Sequence, residues 1–146
     1  MRHFIFVAAL LTIAVSSYAQ VKSPLVWDAN SIKWQETYPD GTKYALLEGD
    51  RTAPGKSFTY AFFIPAGYWE HHWHSQDARV AVLQGALRVS FGEKLDKENA
   101  TSYPVGTFLL VPANLQHTMG ADVDTIIIGT AIGPWATHRH EEHEHH

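Results

Sequence analysis

Along this chain, apolar and polar positions alternate in short runs, and turn-forming residues interrupt them every ten or so positions. Residues 32–37 form the first run, closed by Pro39-Asp40-Gly41, and residues 43–47 the second, closed by Gly49-Asp50 and Ala53-Pro54-Gly55. An aromatic-rich run, 57–64, ends at Pro65-Ala66-Gly67. Four more follow at 79–83, 86–90, 107–111 and 125–129, each bounded by Gly, Pro or Asn. A period of two places successive side chains on opposite faces of a strand. After the N-terminal segment, no stretch keeps the 3.6-residue period of an amphipathic helix. Short strands at regular spacing predict an all-β sandwich or barrel. The polar stretch 93–102 reads as a surface loop joining two halves.

Both ends differ from this middle. Met1-Arg2-His3 is a short basic start to an apolar run over 4–15, and Ser17-Tyr18-Ala19 places small residues where a signal peptidase reads. Residues 1–19 are therefore expected to be a secretory signal, with Gln20 as the mature start, and the run is short for a bilayer span. The domain is expected to cover 20–136. Residues 137–146 hold five of the ten histidines, alternate with Glu and Arg, and carry nothing apolar. Such a segment predicts a disordered tail, with either a modest metal-scavenging role or none.

Composition narrows the classes. The chain has 146 residues, 45% hydrophobic and 18% charged, which suits one globular domain. A formal charge of −4 without a basic stripe argues against nucleic acid as a partner. Zero cysteines exclude disulfides, thiolate metal sites and a cysteine nucleophile. There is no phosphate-cradling glycine loop and no serine elbow.

The chemistry concentrates in "HHWHSQDARVAVLQG", residues 71–85. On a strand, His72 and His74 share one face while His71 and Trp73 share the other. Two imidazoles at i and i+2 reach one ion only if a third ligand comes from elsewhere. His117, in "GTFLLVPANLQH" (106–117), is the remaining histidine inside the domain. Neutral imidazole suits zinc, iron, copper, nickel and manganese alike. The plain alternative is that these are polar residues on a strand edge. Trp69 and Trp73 are expected to cover the sheet or its mouth, and Arg88 to lie at the surface.

Gly67, His72-x-His74 and Gly85 together resemble the first motif of the cupin superfamily, and Gly106-x5-Pro112-x-Asn114-x2-His117 resembles its second. The segment "YALLEGDRTAPGKSFTYAFFIPAGY" is similar to the lead-in of small secreted single-domain cupins of uncharacterised function. The resemblance implies a small antiparallel β-barrel of jelly-roll type holding one divalent transition metal (iron, zinc, manganese, nickel or copper) on His72, His74 and His117. The chain departs from the pattern at Ala78, where the family usually has a glutamate ligand. Glu70 and Gln76 share inward parity with the histidines, and a bulge could turn Asp77 inward, so these three are candidates for a fourth position or a supporting role. Val80 and Val82 have the same parity and are expected to line an apolar pocket.

Three histidines without a carboxylate leave a cation its full charge and open positions, as catalytic rather than structural sites do. The first reading is a metal-dependent enzyme on a small molecule, since a bound cation polarises oxygen and acidifies water. The resemblance adds three-histidine dioxygenases to that reading. The second is a non-catalytic metal-dependent binding or sensing module, and the third a site that lost activity with its carboxylate. The expected partners are a small-molecule ligand and a second copy of the chain in a homodimer, with no membrane contact after signal cleavage. The expected location is secreted or periplasmic.

Overall fold

The computed structural model describes residues 23–139. The expected signal at 1–19 and most of the expected tail, 140–146, lie outside the described residues. Among the described residues eleven strands form: β1 Glu36–Thr37, β2 Lys43–Gly49, β3 Ser57–Ile64, β4 Trp69–His74, β5 Ala78–Gln84, β6 Ala86–Phe91, β7 Thr101–Pro104, β8 Phe108–Val111, β9 His117–Gly120, β10 Thr125–Ile132 and β11 Thr137–Arg139. They build a six-stranded sheet in the order β1-β2-β3-β10-β5-β8 and a five-stranded sheet in the order β11-β4-β9-β6-β7. Every pairing is antiparallel. The predicted all-β jelly roll is what forms. Its two sheets do not close on each other by hydrogen bonds, so it is a jelly-roll sandwich rather than a sealed barrel.

The alternation read from the sequence sets which face is buried. In β5, Ala78, Val80 and Val82 are buried while Arg79 and Ala81 are exposed. Ile64, Leu87, Val89, Val111, Met119 and Ile127 join them between the sheets. Each large aliphatic side chain buried there contributes about 1.5–3 kcal/mol. A tight crossing lets the aromatics of β3 enter the interior: a Cβ on Gly129 would sit 2.1 Å from the Tyr60 ring. Gly85, at φ 72°, makes the β5–β6 hairpin where a Cβ would strike the Asp124 carbonyl at 2.5 Å.

Three expectations change. Of the run 32–37 only Glu36–Thr37 pairs, because Ile32 and Trp34 instead pack onto the outer face of the larger sheet beside Ala45, Ala61, Ile126 and Phe63. His117–Gly120 is a fully buried strand, wedged between β4 and β6, although "HTMG" carries no strand pattern. The expected disordered tail also begins too early: Thr137–Arg139 is an edge strand on β4. There His138 stacks on Trp73 at 5.4 Å and Arg139 Nε donates to Glu70 Oε2 at 2.6 Å. Polar composition does not prevent pairing at an edge, where backbone bonds and two side-chain contacts are enough.

Candidate metal centre

β4 turns Glu70, His72 and His74 to the interior, with His72 and His74 buried. His71 faces the other way and contacts the Gly92 carbonyl through Nε2 at 2.9 Å. β9 pairs with β4 in a register that places His117 directly opposite His72. The turn before β9 fixes that register. Asn114 takes φ 62°, its N–H donates to the His74 carbonyl at 2.8 Å, and the Ala113 N–H donates to Asp77 Oδ1 at 2.9 Å. Both motifs are thereby stapled at the same end of β4.

The three rings converge. Their centroids are 4.7 Å apart for His72–His74, 4.3 Å for His72–His117 and 5.0 Å for His74–His117. One ring nitrogen from each lies within 4.8 Å of the others. His117 Nδ1 is 2.8 Å from the Leu115 carbonyl, which can only accept, so Nδ1 carries the proton and Nε2 keeps its lone pair. His72 Nδ1 and His74 Nδ1 are buried without a hydrogen-bond partner. Glu70 Oε1 lies 3.3 Å from His72 Nδ1, close enough to act as its counter-charge but not aligned as a hydrogen bond.

Electrostatics keep the cluster neutral. Burial, reinforced by the neighbouring imidazoles and Arg139, pushes the His72 pKa well below the usual histidine value. Burial likewise lowers His74 to about 3, and it lowers His117 against the opposing pull of the Leu115 carbonyl. Buried polar atoms in a folded core are normally satisfied. Three neutral, convergent imidazoles, two of them with an orphaned Nδ1, fit the donor set of a divalent transition metal.

The other candidates separate cleanly. Ala78 is fully buried and offers no donor atom. Asp77 is held by Ala113 and sits 3.8 Å from Arg79 at the half-exposed edge, away from the histidines. Gln76 lies in the bend after β4 and does not line the interior cavity. Glu70 does line it, but Arg139 holds its other oxygen. Val80 lines the cavity, whereas Val82 is buried in the core without reaching it. Trp69 backs Gly120 and carries Arg88 over its ring at 5.5 Å. Arg88 itself clamps the Ala100 carbonyl and Asp122.

The cavity between the sheets measures about 420 Å³. Leu87, Val89, Val111, Met119 and Ile127 make its apolar wall, and Trp135 stacks 4.5 Å from His74. Sequence reasoning missed Trp135, Arg139, Arg51 and Tyr44, which all line this space. Arg51 and Trp135 come from loops and Arg139 from an edge strand, whose positions no local pattern encodes, whereas Tyr44 lies on the predicted strand β2.

No family model matches the chain, and no curated protein does. Solved structures do. A cupin-like protein from Thermotoga maritima is similar over 80% of this chain and 94% of its own, with 19% identity and a TM-score of 0.61. The chain has the cupin fold. Two further matches are longer than this chain. A chain from the complex of SigE with the anti-sigma ChrR of Rhodobacter sphaeroides is matched over 70% of this chain and 50% of its own, at 23% identity and TM-score 0.55. A salicylate 1,2-dioxygenase variant from Pseudoaminobacter salicylatoxidans in complex with gentisate is matched over 73% and 31%, at 14% identity and TM-score 0.58. The chain thus spans about half and about a third of those two. On the cupin fold, the histidine cluster faces the interior cavity at the junction of the two sequence motifs.

Proposed function

We propose that this chain is a secreted or periplasmic cupin that holds one divalent metal on His72, His74 and His117 and acts as an enzyme on a small molecule in the adjoining cavity. The observation that carries this reading is the convergence of three neutral imidazoles, with no carboxylate in their ligand set, on a cavity with an aliphatic wall. Iron, zinc, manganese, nickel and copper all suit the donors. A bound ion of this kind supplies Lewis acidity to a substrate oxygen or, if redox-active, electrons for oxygen chemistry.

The protein's own residues do the rest. The Leu115 carbonyl fixes the His117 tautomer. Glu70 places its carboxylate beside His72, and Arg139 holds that carboxylate in position. Partners of this kind aim metal-binding imidazoles and raise their basicity. The aliphatic wall excludes water and lowers the local dielectric, which strengthens every interaction at the histidines. A dioxygenase is the reaction class favoured by the likeness to a dioxygenase structure that binds gentisate.

The second reading is a ligand-sensing module, favoured by the likeness to a chain from an anti-sigma complex. Oxygen uptake separates the two. Iron-loaded enzyme consumes O₂ with at least one member of a panel of diketones, thiols and catechols. A sensor shows no uptake with any of them, and its melting temperature rises with its ligand.

A further inference from the structure

At the end of the cavity lined by Tyr44, one arginine is left without an acidic partner. Of the charged groups lining the space, Glu70 is paired with Arg139 at 2.6 Å. Asp40 is occupied by the Thr42 N–H at 2.9 Å and the Thr42 hydroxyl at 2.6 Å. The Tyr38 hydroxyl donates to Glu36. Of the two arginines lining the cavity, Arg139 is paired with Glu70 and Arg51 forms no ion pair among the described residues. Its guanidinium lies over the Tyr44 ring at 5.2 Å. The Tyr44 side chain is 9% exposed, and its hydroxyl is buried with no hydrogen-bond partner.

The position is built rather than incidental. Arg51 leaves the β2–β3 loop where its carbonyl accepts the Trp135 N–H at 3.0 Å, and the Gly55–Gly133 and Gly133–Lys56 backbone bonds tie the same two segments together. Gly133 admits no side chain, since a Cβ would meet the Ala53 carbonyl at 2.5 Å. A continuous aromatic wall runs from this corner to the histidines. Tyr44 stacks on Tyr60 at 5.8 Å, Tyr60 meets Trp135 at 6.1 Å, and Trp135 meets His74 at 4.5 Å.

We propose that Arg51 and the Tyr44 hydroxyl form a carboxylate subsite, so that the ligand of this cavity is a small organic acid with a flat apolar body, its acid group held away from the histidines. A guanidinium with no acidic partner, set against the buried Tyr44 hydroxyl, supplies charge-assisted hydrogen bonds to a carboxylate. The rings along the wall offer π-faces to a planar body. A volume of about 420 Å³ falls at the small end of ligand pockets, the size for a single-ring acid. The orientation, with an oxygen of the far end toward His72, His74 and His117, rests on the metal reading above; the acid subsite does not.

The test is a calorimetric titration of the full chain with 4-hydroxycinnamate and its primary amide, in chelator-treated and zinc-loaded protein. The acid binds at least tenfold tighter than the amide in both states. Arg51→Gln removes that preference, Arg51→Lys retains part of it, and Tyr44→Phe weakens the acid several-fold while leaving the amide unchanged. Equal affinity for acid and amide, a preference that survives Arg51→Gln, or no binding of either compound overturns the subsite. The acid–amide comparison on the unaltered chain decides even if a variant fails to fold. If the preference holds but zinc changes neither affinity, the metal reading fails and the subsite stands. If zinc tightens both compounds equally without a preference, the subsite fails and the metal reading stands.

Discussion

His72 and His117, drawn from distant segments of chain, are direct partners across the β4–β9 ladder, with ring centroids 4.3 Å apart. Sheet register, rather than loop flexibility, thus brings the two sequence motifs together. The pairing is rigid because both strands are interior to the smaller sheet.

Glu70 sits between His72 and Arg139 and touches both. Glu70→Gln removes the charge that supports the imidazole and leaves the shape. Metal affinity, measured by competition with a chromophoric chelator, is expected to fall about 10–100-fold. Arg139→Gln should lower it less, since the carboxylate remains.

His74 carries a buried nitrogen with no partner. Replacing an unsatisfied polar group by an apolar one of similar size is neutral or stabilising. His74→Leu is therefore expected to leave metal-free protein as stable as wild type or to stabilise it by about 1 kcal/mol. The same substitution abolishes stabilisation by added metal, and thermal melts with and without zinc check both halves.

Stability of the metal-free protein should depend on pH through these imidazoles. Their folded pKa values are lowered, His74 from 6.5 to about 3, so below 6.5 the unfolded chain binds protons that the folded one does not. Stability is full above pH 6.5 and is lost as pH falls toward 3. The limiting slope is about 1.4 kcal/mol per pH unit for each histidine that stays neutral. Urea melts at pH 7.5, 6, 5 and 4 on chelated protein give the slope, and His74→Leu should flatten it by about one histidine's share.

Gly129 lets the Tyr60 ring cross β10, where a Cβ would come within 2.1 Å. Tyr60 is itself stacked between Tyr44 and Phe58, so its ring has little room to yield. Gly129→Ala is expected to cost about 1–3 kcal/mol by overpacking, read as a lowered denaturation midpoint.

Much of the fold was legible before any coordinates, and the reasons are local. β3 spans the aromatic run at 57–64, and β5, β6 and β10 each contain the run read for them, because alternation bounded by Gly and Pro is a short-range signal. The three histidines were legible from motif spacing. What stayed hidden depends on distant packing: Ile32 and Trp34 leave the strand pattern to cover an outer face, and "HTMG" is a strand only because β4 and β6 flank it. Arg139, in a segment too polar to predict order, is recruited by Glu70. Arg51 reaches the cavity through a loop clasp that no periodicity announces.

The most direct test of the metal centre is elemental analysis of the full chain beside its His72→Ala, His74→Ala double variant, both carrying the same C-terminal histidines and dialysed against the same metal buffer. The account predicts that the wild type retains one equivalent more metal per chain than the variant. Equal metal content in the two proteins would contradict it.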